Sequence, residues 1–125
     1  MTAPALAGWN LALRFGLELA ALAGLAVVAW RFGAGPVRWI AVVAVPLLAA
    51  AAWGVFNVAG DPSRSGQAPV EVAGWLRLTI ELLILGGGAV ALAVAFRVDV
   101  GIAVGLLVML QYATSWSRVD WLLGT

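Results

Sequence analysis

The sequence contains no cysteine, no histidine and no lysine, and only 10% of its 125 residues are charged. Without cysteine there is no disulfide, no thiolate nucleophile and no sulfur ligand for a metal. Without histidine there is no imidazole base and no usual ligand for haem or zinc. Without lysine no Schiff base can form. The groups left for proton transfer are six carboxylates and Tyr112, so the sequence predicts neither a metal site nor a cofactor.

Apolar residues make up most of what is present. They account for 64% of the chain, and the mean hydropathy is +1.05, whereas about 25% of the residues in a soluble domain are charged. A chain of this length cannot bury so much apolar surface from water, so we expect a single domain, 1–125, in a lipid bilayer. The net charge of +1 offers no basic surface for nucleic acid.

Four apolar stretches cover the chain, at about 9–31, 37–57, 72–96 and 99–122. Each has the ~20 residues that a helix needs to cross a hydrocarbon core about 30 Å thick. The stretches are continuous rather than alternating, which favours helices over strands. The first is too long and too charged for a signal peptide. The predicted fold class is all-α, an integral membrane four-helix bundle.

The connections predict two tandem helical hairpins. Because 31–38 and 97–99 are short, the hairpins cover about 9–57 and 72–122, with a polar loop at about 57–74 between them. Both termini then lie on one side. Tryptophans near the helix ends predict aromatic belts at the two membrane surfaces. They are Trp9, Trp53, Trp75, Trp116 and Trp121 on the side of the termini, and Trp30 and Trp39 on the other.

We expect a multi-pass protein of the cell (inner) membrane. The arginine count on the two sides does not decide its orientation by the positive-inside rule, and the termini are assigned to the cytoplasmic side. So small a bundle has small-residue faces to spare, which is compatible with a homodimer.

An internal repeat relates the two hairpins. LRFGLEL at 13–19 recurs as LRLTIEL at 76–82, 63 residues later. At the same offset, Gly24 and Trp53 match Gly87 and Trp116, so the chain resembles two copies of one hairpin. Two crossings per copy make the first and third helices parallel, with the pseudo-twofold axis along the membrane normal.

The repeat places an arginine and a glutamate four residues apart in each copy. Charged groups inside a membrane face the protein interior and find partners there. We therefore expect reciprocal ion pairs across the pseudo-twofold axis, Arg14 with Glu81 and Arg77 with Glu18.

Most of the other polar side chains fall in the same leaflet, on the side of the termini. Together they predict a polar vestibule that opens on that side and binds a ligand. The candidate ligand-binding residues are Asn10, Arg14, Asn57, Asp61, Arg64, Arg77, Gln111, Tyr112, Ser115, Arg118 and Asp120.

Three functions are compatible with this vestibule. The first is binding or transport of a small lipophilic or amphipathic molecule. The second is a membrane-embedded enzyme of the isomerase or cyclase type, in which Glu18 and Glu81 are the catalytic acid and base, because neither reaction needs a metal or a covalent nucleophile. The third is a structural or assembly partner whose ion pairs only hold the helices in register.

Several motifs are spread over nearly the whole chain. They are Asn10-x3-Arg14-Phe15-x2-Glu18-Leu19, Trp53-Gly54-x-Phe56-Asn57-Val58, the loop GDPSRSG at 60–66, Leu76-Arg77-Leu78-x2-Glu81-Leu82, and the ending from Gln111-Tyr112 to Leu123. Together these motifs resemble the YrdB family of small four-helix bacterial membrane proteins of unknown function. Gln111 departs from the family pattern, in which histidine is common. The resemblance implies the four-helix architecture and carries no reaction with it.

Overall fold

The computed structural model describes residues 3–63 and 67–125, and within them the chain is almost entirely helical. Two short strands pair in parallel inside the long connection. The elements are α1 (Gly8–Phe32), α2 (Gly35–Val55), β1 (Phe56–Asn57), β2 (Val70–Glu71), α3 (Gly74–Ala95), α4 (Val98–Thr114) and α5 (Trp116–Leu123).

Three helices, α1, α2 and α3, are each long and apolar enough to cross a membrane. Helices α4 and α5 pass the same test only as one span that is bent by 71°. The described residues therefore confirm the helical class and the apolar spans.

The turn between α1 and α2 is tight because of its glycines. Only Gly33 and Ala34 separate the two helices. Gly35 then adopts a φ of 58°, a left-handed conformation that suits glycine. Pro36 follows in the first turn of α2, where its missing N–H removes no helical hydrogen bond. The chain therefore reverses direction within a few residues.

Helices α1 and α3 pack closely and run parallel. Arg14 meets Glu81 at one end of the contact, and Gly24 meets Gly88 farther along both helices. A Cβ on Gly24 would lie 2.6 Å from the carbonyl oxygen of Gly88, so the two backbones nearly touch. Small residues permit this approach, and in lipid close packing replaces the hydrophobic effect as the source of association. Gly87, which the repeat aligns with Gly24, faces open space instead.

The fourth apolar stretch, predicted as one helix over 99–122, is broken at Ser115. The hydroxyl of Thr114 donates to the Leu110 carbonyl at 2.7 Å, and that of Ser115 donates to the Gln111 carbonyl at 2.7 Å. Such back-bonding to the preceding turn bends helices. Helix α5 therefore turns back across the end of the molecule and brings Arg118 over α3.

The tryptophans separate into two groups. Trp9, Trp75 and Trp116 are 57–61% exposed, as expected of anchors at a membrane surface. Trp53 and Trp121 are each only 6% exposed. These two are therefore part of the interior rather than of the predicted aromatic belt.

Candidate functional site

The Glu81 carboxylate is the centre of a buried charged cluster. Oε2 accepts hydrogen bonds from Arg77 Nε at 2.8 Å and from Arg118 Nη2 at 2.6 Å. Oε1 accepts from the Tyr112 hydroxyl at 2.7 Å and from Arg118 Nη1 at 3.0 Å. Arg14 Nη2 lies 2.8 Å from Oε1 as well. One carboxylate therefore joins α1, α3, α4 and α5.

Arg118 connects this carboxylate to the long connection. Its Nε donates to Asp61 Oδ1 at 2.7 Å, and its Nη2 donates to Asp61 Oδ2 at 2.6 Å. Asp61 Oδ1 also accepts from the backbone N–H and the hydroxyl of Ser63, both at 2.9 Å. Burial acts to raise the pKa of Asp61, but the hydrogen bonds and charge of Arg118 outweigh it and hold the pKa below its usual value.

The Trp53 ring packs against two of the guanidinium groups. The Arg14 guanidinium carbon lies 5.1 Å from the ring centroid and that of Arg77 lies 4.7 Å from it, both within cation–π range. Arg77 Nη1 also donates to the backbone carbonyls of Trp53 and Phe56, at 2.6 and 2.8 Å. These carbonyls end α2, so Arg77 caps that helix and neutralises its negative end.

A neutral amide pair ties α1 to α4 beside the charged cluster. Gln111 Nε2 donates to Asn10 Oδ1 at 2.9 Å, and Asn10 Nδ2 donates to the Thr114 hydroxyl at 2.9 Å. Asn10, Gln111 and Ser115 are all at most 2% exposed. These side-chain hydrogen bonds between the two helices fix how α1 and α4 face each other.

Formal charges in the cluster cancel. Three arginines (Arg14, Arg77 and Arg118) balance three carboxylates (Asp61, Glu18 and Glu81). Glu18 lies at the edge, with Oε1 3.8 Å from Arg14 Nε and a side chain that is 19% exposed. Among residues 3–63 and 67–125, no group of three or more potential metal-ligating side chains occurs.

The expected reciprocal pairing is half present. Arg14 reaches Glu81 across the two parallel helices, as expected. Arg77 instead turns to Glu81 on its own helix, four residues away. Arg118 reaches Glu81 from α5 as well, so one carboxylate is the common partner of three guanidinium groups.

Residues that were expected to line an open polar vestibule instead form a buried cluster. Arg14, Arg77, Glu81 and Arg118 are at most 1% exposed and are buried against one another. Charges removed from water require partners, and here they find them in one another.

Two further expected ligand-binding residues, Asn57 and Asp120, are not part of the charged cluster. Asn57 is buried in β1, where its amide donates to the Gly54 carbonyl at 2.7 Å. Asp120 is on the exposed side of α5. Arg64 lies outside the described residues.

An apolar cleft between α1 and α2 opens beside the cluster. Its volume is about 220 Å³. Glu18 is the single charged residue in its wall, and Trp53 is shared between the cleft and the cluster. The lining residues are Phe15, Glu18, Leu19, Leu22, Ala49, Ala50, Trp53 and Ile84.

Sequence reasoning missed this cleft and the role of Trp53. Tryptophan near a helix end usually indicates the membrane surface, so the pattern favoured an anchor. The available signal was that Trp53 is four residues before Asn57, in the leaflet that holds the charged residues.

Comparison of the sequence with known proteins identifies a family and a relative that are similar to this chain. A family described as a protein of unknown function (DUF2568) matches residues 12–109. A relative from Bacillus subtilis (strain 168), called "Uncharacterized protein YrdB", is 42% identical over 114 residues, which cover 91% of this chain and 93% of the relative. No solved structure matches the chain.

Proposed function

Because the chain belongs to the DUF2568 family, whose function is unknown, we propose a function from the geometry alone: the protein is a multi-pass membrane protein that binds a small lipophilic molecule with a hydroxyl group in the cleft between α1 and α2. The observation that carries the proposal is the cleft, an apolar space with one carboxylate in its wall.

The distribution of side chains supports placement in a bilayer. Large apolar residues such as Leu48, Leu83 and Met109 are 68–70% exposed, whereas the charged cluster is buried. This is the reverse of a water-soluble protein and is what lipid requires. We therefore propose four crossings arranged as two hairpins, α1–α2 and α3–α4/α5, in the cell membrane of a bacterium. The parallel packing of α1 and α3 supports the tandem repeat.

The size and wall of the cleft define the class of ligand. Pockets for drug-sized ligands have volumes of about 300–1,000 Å³, so about 220 Å³ suits a smaller molecule or one segment of a longer chain. Trp53 Nε1 is buried and has no acceptor among the described residues. Glu18, with a side chain that is 19% exposed, is the charged group in the lining, and a ligand hydroxyl can donate a hydrogen bond to its carboxylate.

Glu81 is not the ligand-binding or catalytic group in this proposal. Its two oxygens already accept four hydrogen bonds and contact Arg14. A carboxylate whose two oxygens contact three guanidinium groups and the Tyr112 hydroxyl leaves no space for a substrate to approach. Its proposed role is to position Trp53, which lines the cleft. Glu81 pairs with Arg14 and Arg77, and both guanidinium groups pack over the Trp53 ring.

A second candidate function is architectural. The burial and mutual pairing of the cluster favour a device that locks α1, α3, α5 and the long connection into one arrangement. Buried polar groups fix register in some proteins. Under this second function the cleft binds no ligand, and the protein acts as a structural or assembly partner of other proteins.

Photo-crosslinking tests the cleft directly. The first probe is a long-chain alkanol that carries a diazirine. The second probe is the methyl ether of the same compound, which has no hydroxyl group to donate a hydrogen bond. We expect the alkanol to label peptides from α1 and α2, and Ala49→Phe to reduce that labelling at least fivefold because it fills the cleft. Ala51→Phe, two residues farther along on the exposed side of the same helix, is the matched control and should not reduce it.

The contribution of Glu18 is tested with the same two probes. Glu18→Leu should weaken capture of the alkanol and leave capture of the methyl ether unchanged, because only the alcohol donates to the carboxylate. Equal labelling of the Ala49→Phe and Ala51→Phe variants would reject the cleft as a site and leave the architectural function.

A further inference from the structure

The end of the molecule opposite the charged cluster carries three arginines and two tryptophans. We call it the arginine face and define it as Trp30, Arg31, Arg38, Trp39 and Arg97. We propose that the arginine face contacts the anionic phosphate headgroups of the cytoplasmic leaflet, so that the termini, the long connection and the cluster face the outside. The proposal rests on the membrane placement above and reverses the orientation assigned from sequence.

Side-chain contacts hold the arginine face together. Arg31 Nη1 donates to the Ala95 carbonyl at 3.1 Å, which brings α1 to the end of α3, two residues before Arg97. Arg38 Nε donates to the Gly33 carbonyl at 3.2 Å, and its guanidinium lies 4.8 Å from the Trp30 ring centroid. A guanidinium has five N–H donors, so these contacts position the groups and leave donors for phosphate oxygens.

The two tryptophans place this face at the depth of the headgroups. Trp30 and Trp39 pack edge to face, with ring centroids 4.8 Å apart. They are 37% and 68% exposed. Tryptophan prefers the boundary between acyl chains and headgroups, so the adjacent guanidinium groups lie at phosphate level.

An arginine influences the orientation of the protein in the membrane only if its charge is not buried and neutralised. The sequence places three arginines near the short connections and four on the other side, and this count alone does not determine the orientation. Three of those four, Arg14, Arg77 and Arg118, are at most 1% exposed and are paired with carboxylates. They present no net charge to a membrane surface. Of the four, Arg64 is then the one left to count, and the sequence places it in the long connection. It stands against three arginines on the arginine face, of which Arg97 forms an exposed ion pair with Asp99.

The net charges of the two ends of the molecule favour the same orientation as the exposed arginines. On the arginine face, three arginines against Asp99 leave a net charge of +2. On the other side, the exposed Glu71 and Asp120 against Arg64 leave −1. With a neutral cluster, these values give the +1 of the whole chain. The cytoplasmic leaflet is the anionic one and attracts clustered arginines, and cytoplasmic loops are those enriched in arginine and lysine.

Single cysteines test the orientation, since the native chain has none. The variants are Ala34→Cys in the α1–α2 turn and Gln67→Cys in the long connection, at positions outside the helices. With a membrane-impermeant maleimide on spheroplasts, we expect Gln67→Cys to be labelled at least tenfold more than Ala34→Cys, and both equally after solubilisation in detergent. The opposite pattern, or equal labelling before detergent, overturns the proposal. Resistance to carbonate extraction checks the membrane placement separately.

Charge neutralisation tests the headgroup contact. In the Gln67→Cys background, the combined Arg31→Gln, Arg38→Gln and Arg97→Gln changes should reduce outside labelling at least twofold, whereas Asp99→Asn should not. If the triple variant does not accumulate, the single changes are compared instead. Unchanged orientation in every arginine variant overturns the proposal.

Vesicles distinguish a lipid headgroup from a free anion. Phosphatidylglycerol added to phosphatidylcholine vesicles should raise the Tm of the native protein and leave that of the triple variant unchanged. An equal rise from inorganic phosphate in phosphatidylcholine alone would identify a free-anion site and overturn the headgroup assignment.

Discussion

Replacing Glu81 with glutamine should be the most destabilising single polar substitution in the molecule. Glutamine keeps the shape of the side chain but removes the charge shared by Arg14, Arg77 and Arg118. The cluster then carries an uncompensated positive charge at a site that is 0% exposed.

The magnitude follows mainly from the stranded charge. Breaking a buried ion pair by removing one partner costs about 3–5 kcal/mol. Glutamine keeps one acceptor oxygen, so about two of the four hydrogen bonds that Glu81 accepts are lost. At about 0.6 kcal/mol for each hydrogen bond inside a membrane protein, their loss costs roughly 1 kcal/mol before the stranded charge is counted. We therefore expect Glu81→Gln to lower the free energy of unfolding by at least about 3 kcal/mol.

The assay is reversible unfolding in mixed micelles by titration with sodium dodecyl sulfate, followed by circular dichroism. The matched control is Asp99→Asn, which breaks an ion pair with Arg97 whose side chains are 63% and 66% exposed. Exposed pairs contribute about 0–1 kcal/mol. In a double-mutant cycle, adding Arg14→Gln to Glu81→Gln should cost less than Arg14→Gln alone, because it removes the stranded charge. A loss below about 1 kcal/mol for Glu81→Gln would refute the reasoning, since the cluster would then not be a cooperative unit.

Two further predictions follow from particular contacts. Because the pKa of Asp61 is lowered from its usual 3.8, its contribution to stability is complete above that pH and is lost as the pH falls below it; Asp61→Asn should remove this part of the pH dependence in the same assay. Gly88→Ala should destabilise by about 1–3 kcal/mol through overlap with Ala21, whereas Gly87→Ala, which faces open space, should change stability by less than about 0.5 kcal/mol. Equal effects of the two glycine variants would contradict the observed α1–α3 contact.

Much of the helical architecture could be predicted because lipid imposes strong constraints. Continuous apolar stretches of about 20 residues predict crossing helices, and charges inside them predict partners. This reasoning found the parallel α1–α3 contact and the pairing of Arg14 with Glu81. Both follow from the internal repeat, from the number of crossings in each copy and from the cost of an unpaired charge.

Other details of the site could not be predicted from the internal repeat or from the pattern of apolar residues. The offset of 63 residues equates Trp53 with Trp116, yet the first is 6% exposed and the second 61%. Hydroxyl groups at Thr114 and Ser115 bend the chain between α4 and α5, and the bend breaks the symmetry of the repeat. The same bend directs Arg118 to Glu81, which no pattern of apolar residues predicts.

The family assignment is confirmed, but it adds no reaction to the structure. The 42% identical relative is itself called uncharacterized.

Helix α5 is synthesised after every other described helix, yet it completes the centre of the molecule. Until Arg118 emerges from the ribosome, Glu81 and Asp61 lack the group that bridges them. The backbone N–H of Gly74, at the start of α3, likewise finds its acceptor at Thr125, 3.3 Å away. A nascent chain that stops short of this segment therefore leaves Asp61 and Glu81 without their shared guanidinium group, and its cluster carries one more carboxylate than arginine.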